Sequence, residues 1–164
     1  MRVLLYFLVL IGVQGALSRL LPTAITPPDL FLLTGVALAM RWRPWVAVVG
    51  GYGVGLAQDV LGHGALGFHA AGVAAGCLLV VGLRKFLSDG GVLQLALTVL
   101  AAVVGQWTAY LILSYWLRND LVTVASLTGV LPIMLAGTLL VAVPVERMAT
   151  LAFGPRPNAE EGLA

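Results

Sequence analysis

The chain has 164 residues, of which 60% are hydrophobic and 10% are charged, and its formal net charge is +2. A soluble domain usually carries about 25% charged residues, so this chain cannot cover a globule with a polar surface. The composition argues against a soluble enzyme and a disordered tail. The basic residues are too few and too scattered for a nucleic-acid-binding stripe. We therefore expect one integral membrane domain, in which Lys and Arg report topology.

Six apolar segments succeed one another along the chain, and a helix that crosses a bilayer needs about 20 residues. In order, the predicted spans cover residues 3–21, 29–40, 45–61, 66–83, 92–117 and 126–145. The second span is short, so it is tilted, incomplete or lengthened by its flanks. Pro132 is expected to kink the sixth. The prediction is an all-α bundle of six transmembrane helices over residues 1–147, followed by a disordered cytoplasmic tail over residues 148–164.

The basic residues determine the predicted orientation. With a cytoplasmic N-terminus, seven of the nine lie inside: Arg2, Arg41, Arg43, Arg84, Lys85, Arg147 and Arg156. Arg19 and Arg118 then lie outside. Because short cytoplasmic loops carry the excess of Lys and Arg, both termini are predicted to be cytoplasmic. The alternative for the first segment is a signal peptide, but its n-region holds a single Arg, so we interpret it as a span.

Polar side chains within the spans fall mainly in the outer half of the membrane. They are Gln14, Ser18, Asp29, Asp59, His69, Gln106, Tyr110, Ser114, Ser126 and Thr128. Carboxylates near a membrane interface cost less to insert than at mid-bilayer, where they face the protein interior. The pattern predicts an outward-facing polar pocket or docking surface, and ordinary polar helix ends are the alternative interpretation.

Small residues four apart mark helix faces that permit close packing. Three such pairs occur, namely Gly12 with Ala16, Gly51 with Gly55, and Gly72 with Gly76. The last two predict a tight hairpin of spans 3 and 4, with Asp59 and His69 meeting at its mouth. The simplest role for Asp59 is a hydrogen bond to the turn or a pair with His69, and a ligand or partner contact is the alternative.

Reactive arrangements are missing from the sequence. No GxSxG, HExxH, P-loop or paired-aspartate motif occurs. His63 and His69, six residues apart across a turn, are a weak metal signal. The single cysteine, Cys77, excludes an intrachain disulfide and lies in an apolar run that predicts burial. We expect neither enzymatic activity nor a cofactor or metal.

One stretch, residues 28–83, carries a family resemblance. It contains Pro28-Asp29-Leu30, then Gly51, Gly55 and Asp59, and then Leu66-Gly67-Phe68-His69-Ala70. This order of P-D-L, G-x(3)-G-x(3)-D and L-G-x-H-A resembles the rod shape-determining membrane protein MreD. The matching positions are Asp29, Asp59, Gly67 and His69, for which the family supplies no catalytic role. The remaining two thirds of the chain matches in hydropathy only.

The resemblance implies a component of the bacterial inner-membrane elongation complex, or elongasome, that helps to maintain cell shape. MreD-like proteins bind MreC directly. In the wider complex they act with MreB, RodA and a penicillin-binding transpeptidase during peptidoglycan synthesis. Their fold resembles the S-component of energy-coupling-factor transporters, a six-helix bundle with an outward pocket.

Two functions therefore compete. The first is a non-catalytic scaffold that binds MreC through a small-residue helix face and its outer loops, with membrane lipid around it and no nucleic acid. The second is the solute-binding subunit of a vitamin-type transporter, in which Asp59, His69, Trp107 and Tyr110 would contact the solute. Asp29, Asp59, Gly67, His69, Gln106 and Tyr110 are the candidate partner or pocket residues. An intramembrane enzyme is a third possibility without a supporting motif.

Overall fold

The computed structural model describes residues 1–22, 25–62, 66–87, 91–118 and 122–157. Within these ranges the chain forms helices and no strand, which confirms the all-α prediction. The helices are α1 (Arg2–Leu20), α2 (Leu30–Ala39), α3 (Pro44–Leu61), α4 (Phe68–Leu83), α5 (Gly91–Leu117) and α6 (Leu131–Phe153), and a π-helical turn (Ser126–Val130) precedes α6. Three helical stretches are long and apolar enough to cross a membrane: Arg2–Leu20, Gly91–Leu117 and Ser126–Phe153.

The short α2 is the centre of the bundle. All ten of its residues are buried, and it contacts each of the other five helices. A helix that is apolar on every side is stable only when neighbours surround it. At 1.5 Å per residue it is about 15 Å long, half the hydrocarbon thickness of a bilayer. The short predicted second span is therefore a core helix that does not cross a membrane by itself.

Glycines bring α3, α4 and α5 into backbone contact. A Cβ atom on Gly55 of α3 would lie 2.6 Å from the Cα of Ala70 in α4. The close hairpin of α3 and α4 is thereby confirmed. A Cβ atom on Gly76, in contrast, would lie 2.9 Å from the Ala102 carbonyl oxygen of α5. Gly72 and Gly76 of α4 thus face α5 and not α3, because α4 lies between these two helices and packs a different face against each.

Cys77 lies where α2, α3 and α4 meet. Its side chain is buried, as predicted, and its Sγ donates a hydrogen bond of 3.3 Å to the Gly35 carbonyl oxygen of α2. A Cβ atom on Gly51 of α3 would collide with the same Sγ. The thiol therefore acts as a space-filling core group at this three-helix contact.

The helices α1 and α6 lie at the periphery. Only Tyr6 and Leu10 of α1 are buried, and the Tyr6 hydroxyl shares a hydrogen bond of 2.8 Å with Thr34 of α2. Gly12 and Ala16 of α1 are both exposed, and a Cβ atom on Gly12 would meet nothing within 4 Å. The small pair on α1 is thus unused by the described part of the chain.

The sixth helical stretch begins at the predicted residue, Ser126, but its end differs from the prediction. The irregularity expected at Pro132 takes the form of the π-helical turn, in which the Leu131 N–H donates to the Ser126 carbonyl. The helix also continues beyond residue 147, the predicted end of the membrane domain. Its apolar residues run on to Phe153, and Gly154 ends it with a positive φ of 91°, which glycine tolerates. Residues 148–153 are therefore helical, and residues 158–164 of the predicted tail lie outside the described residues.

The two ends of the bundle differ in chemistry. We call the end at which α2 and α4 begin the polar end, since Asp29, Asp59 and His69 lie there. The opposite end, where α1 begins and α6 ends, is called the basic end. It collects the seven residues assigned to the inside by sequence: Arg2, Arg41, Arg43, Arg84, Lys85, Arg147 and Arg156.

Candidate functional site

At the polar end, Asp59 of α3 caps the N-terminus of α4. The residue is buried, with 3% of its surface exposed. Its Oδ2 accepts hydrogen bonds from the N–H groups of Gly67 at 2.8 Å and Ala70 at 3.1 Å. Its Oδ1 accepts the N–H of His69 at 3.0 Å. The carboxylate therefore accepts hydrogen bonds from N–H groups that have no partner within α4. Its negative charge also interacts favourably with the positive end of the helix dipole.

Gly67 explains why the cap comes from another helix. It occupies the N-cap position of α4 with φ of 91°, a left-handed conformation that costs glycine little. Since glycine has no side chain, it cannot supply the oxygen that Ser, Thr, Asp or Asn usually provides at this position. Asp59 supplies that oxygen across the turn. Gly67 and Asp59 thus form one structural unit.

His69 completes the same unit. Its Nδ1 lies 2.8 Å from Oδ1 of Asp59, which confirms the predicted meeting of the two residues. Because a carboxylate only accepts, the proton lies on Nδ1. The imidazole also contacts the Tyr110 ring of α5, with ring centroids 5.9 Å apart, and Phe68 stacks on Tyr110 at 4.3 Å. The cap of α4 is therefore held against α5.

Asp29 forms a second polar centre at the start of α2. Its Oδ1 accepts the Leu32 N–H at 2.8 Å, which makes Asp29 the N-cap of α2. Its Oδ2 accepts a hydrogen bond from Nε2 of Gln106 in α5 at 2.7 Å. The N–H of Asp29 donates to Oγ1 of Thr138 in α6 at 3.1 Å. One carboxylic residue therefore joins α2, α5 and α6.

Gln14 adds α1 to this centre. Its Oε1 accepts the N–H of Leu30, the first residue of α2, at 3.2 Å. Sequence placed Gln14 among the polar residues of the outer half but did not select it as a site, and it did not identify Thr138. These polar groups of α1, α2, α5 and α6 hydrogen-bond to one another because an unpaired backbone N–H group in an apolar interior costs free energy.

The two centres adjoin through α5. Gln106 and Tyr110 lie one turn apart, and both lie against Gly72 of α4: a Cβ atom there would approach the Tyr110 ring at 2.5 Å and Cγ of Gln106 at 3.0 Å. The structure therefore brings the six candidate residues to one end of the bundle: Asp29, Asp59, Gly67, His69, Gln106 and Tyr110. Both carboxylates cap helices, an arrangement that stabilises the fold.

Three buried polar atoms on this part of α5 have no hydrogen-bond partner among the described residues. They are Oε1 of Gln106, Nε1 of Trp107 and Oγ of Ser114. Gln106 is 1% exposed. Each such atom normally finds a partner, often an ordered water. These atoms are the feature of this end that favours a bound polar molecule over a purely structural role.

The basic end contains an ion-pair cluster that sequence did not select. Arg41, whose side chain is 2% exposed, pairs with Glu146 of α6 at 2.6 Å. The Arg41 guanidinium also donates to the Gly154 carbonyl at 2.8 Å and to Oγ1 of Thr150 at 2.9 Å. The turn between α2 and α3 is thereby fastened to the end of α6. The available signal was Glu146 itself, an acidic residue in an apolar helix, which normally has a partner.

Arg156 extends this cluster. Its Nε lies 2.9 Å from Oε1 of Glu146, and its Nη1 donates to Oε1 of Gln94 in α5 at 3.3 Å. Nearby, the Arg84 guanidinium that follows α4 donates to the Ala39 carbonyl at 2.7 Å. Residues 154–157 are consequently held against the bundle.

Arg156→Gln is expected to destabilise the chain slightly, by about 1 kcal/mol, because the ion pair that it removes is partly exposed. For a chain of this size that corresponds to about 2–4 °C in the thermal midpoint. Arg147→Gln is the matched control, since Arg147 is exposed and forms no ion pair within the described ranges. Equal shifts of the two variants in a detergent melting experiment would contradict the role given to Arg156.

Across the described residues, no group of three His, Cys, Asp or Glu side chains could hold a metal ion, and His63 lies outside these residues. Comparison with protein-family models, curated proteins and solved structures finds no match for the chain. The fold and the site therefore define an all-helical protein with three helices apolar enough to cross a membrane and with capped, interlocked helix ends.

Proposed function

We propose that the chain is an MreD-like scaffold of the bacterial elongasome, without catalytic activity, that binds MreC and helps to organise peptidoglycan synthesis. MreB, RodA and a penicillin-binding transpeptidase are its proposed partners in the wider complex. The observation that carries the proposal is the use of the motif residues. Asp29, Asp59, Gly67 and His69, the positions that match MreD, form helix caps that stabilise the bundle.

The proposed topology is a six-span bundle like an S-component, in the bacterial inner membrane, with both termini cytoplasmic. It is supported by the collection of seven basic residues at one end, as the positive-inside rule requires of a cytoplasmic face. The short α2 is about 15 Å long, so in this topology the non-helical residues before it complete the second crossing.

The partner surface proposed for MreC is the free face of α1. Gly12 and Ala16 are exposed there, and the space beside Gly12 is open. Transmembrane helices associate through such small residues, since these let two backbones approach closely. A single membrane-spanning helix of MreC would fill this face without chemistry or turnover.

The test is a detergent pull-down of the tagged chain from a rod-shaped bacterium that co-expresses MreC. Near-equal recovery of MreC is expected for the native chain. Gly12→Leu should reduce the recovery several-fold while the melting temperature stays unchanged, because a large side chain separates the helices. Val13→Leu is the matched control, since Val13 is also exposed and lies about 100° around the helix from Gly12. Absence of MreC, or equal losses in the two variants, would contradict the proposal.

The second candidate is the solute-binding subunit of a vitamin-type transporter. The three unpartnered atoms of Gln106, Trp107 and Ser114 favour it, since a polar solute would supply their missing hydrogen bonds. The same preparation decides between the two functions. A small molecule extracted in equal amount, or ATPase subunits recovered without MreC, would support transport and refute the scaffold.

A further inference from the structure

A groove of about 440 Å³ separates the start of α1 from the end of α6. Its walls are mainly apolar, and they consist of Arg2, Leu5, Tyr6, Val9, Met148, Leu151 and Ala152. It lies at the basic end, where Tyr6 contacts Phe153 with ring centroids 5.1 Å apart. The helix caps of the polar end are not part of it. Any occupant is therefore distinct from a partner of the caps.

The groove is open on the side that a membrane would cover. Leu5 is 62% exposed and Leu151 is 76% exposed, although both are large apolar residues. From Arg2 to Val9 the groove follows α1 for about 10 Å, given the rise of an α-helix. The groove thus runs along the bundle surface, from the first turn of α1 to about the middle of that helix. In its length of about 10 Å, its apolar walls and its orientation along the helix, the groove fits part of one lipid acyl chain.

The charge of the residues at the groove indicates which class of lipid headgroup complements it. Arg2 is the only charged residue among those that line the groove, and it lies at the end where a membrane-water interface would be. It forms no ion pair within the described part of the chain. Arg147, also exposed, adjoins the lining residue Met148. A cation at the interface with an apolar channel beneath it complements an anionic headgroup attached to a hydrocarbon chain.

We propose that this groove binds one anionic phospholipid of the surrounding bilayer, with an acyl chain between α1 and α6 and the headgroup phosphate on Arg2. A transmembrane helix is a poorer fit. It is about 10–12 Å wide and needs about 20 residues to cross the bilayer, whereas the groove follows only the first part of α1. The proposal is independent of the scaffold function, which uses Gly12 and Ala16 further along the helix.

Native mass spectrometry of the full chain, with dioleoyl phosphatidylglycerol or dioleoyl phosphatidylcholine added to the detergent, tests the proposal. One phosphatidylglycerol is expected to stay bound, with at least about fivefold preference over phosphatidylcholine, as one interfacial cation provides. Arg2→Gln should abolish the preference. Ala152→Phe should lower the retention of both lipids, because the added ring fills the channel.

Two matched variants serve as controls. Arg19→Gln removes an exposed arginine from the opposite end of α1, and Ala136→Phe adds the same ring to an exposed position of α6 away from the groove. Both should bind lipid like the native chain. Equal retention of the two lipids by the native chain, equal effects of Arg2→Gln and Arg19→Gln, or a second copy of the chain found in place of lipid would overturn the proposal. If Arg2→Gln does not fold, the comparison of Ala152→Phe with Ala136→Phe still decides it.

Discussion

Asp59→Asn is expected to lower the free energy of unfolding by about 2–4 kcal/mol, since it removes a charged acceptor of several hydrogen bonds. The carboxylate accepts from three backbone N–H groups and from the His69 ring. An amide keeps one accepting oxygen and turns an NH₂ group toward the remaining donors. The start of α4 would then hold buried N–H groups without partners, while the partner surface on α1 remains intact.

Thermal melting in detergent measures this effect, and Asp29→Asn is the matched comparison. The asparagine in that variant could still cap the Leu32 N–H through its oxygen, and its NH₂ group could donate to the Gln106 amide oxygen, which has no hydrogen-bond partner among the described residues. The cost should therefore be about 1 kcal/mol, close to that of one ordinary hydrogen bond. An Asp59→Asn chain of normal stability that fails to recover MreC would show that Asp59 contacts the partner rather than the turn.

Gly55→Ala is expected to destabilise the hairpin of α3 and α4 by about 3 kcal/mol, at the upper end of the usual cost of overpacking a core. The new methyl group would lie 2.6 Å from the Cα and 2.8 Å from the backbone nitrogen of Ala70. These are backbone atoms, so no side-chain rotation relieves the contact. The two helices must separate, which also moves Gly67 and His69 away from Asp59.

Gly53→Ala provides the control on the same helix. Its Cβ position meets nothing within 4 Å, and alanine is favoured over glycine in a helix by up to about 1 kcal/mol. The variant should be slightly more stable than the native chain. The two thermal midpoints, measured in the same detergent, should thus move in opposite directions. Comparable losses would show that α3 and α4 are less closely packed than their contacts indicate.

Much of the fold could be predicted because it depends on local composition. The positions of the six helices follow from the apolar runs, and every predicted boundary except the end of the sixth span lies within about two residues of the observed one. The contact of Asp59 with His69 was also predictable, since the glycines of α3 mark a close hairpin and a short turn brings its ends together. The end of α6 was missed because the charges at Glu146 and Arg147 resemble a membrane boundary, whereas the apolar run continues beyond them.

The candidate site was only partly predictable. Asp29, Gln106 and Thr138 are far apart in the chain, so no spacing rule links them. Their hydrogen bonds depend on α2 lying at the centre of the bundle. Glu146 and Arg41 are likewise distant in sequence, and their pairing follows from the end of α6 reaching the turn after α2.

The sequence by itself determined a set of apolar helices, some long enough to cross a membrane, whose flanking charges favour one orientation, because hydropathy, helix length and the placement of Lys and Arg are local properties. Tertiary structure alone decided which helix is central, which glycines face which neighbour and which polar groups are paired. A periodic pattern defines a helix face but does not identify the helix that covers it. Asp59 illustrates both parts: its place at the hairpin turn could be predicted, but its role as the cap of another helix required the contact of α3 with α4.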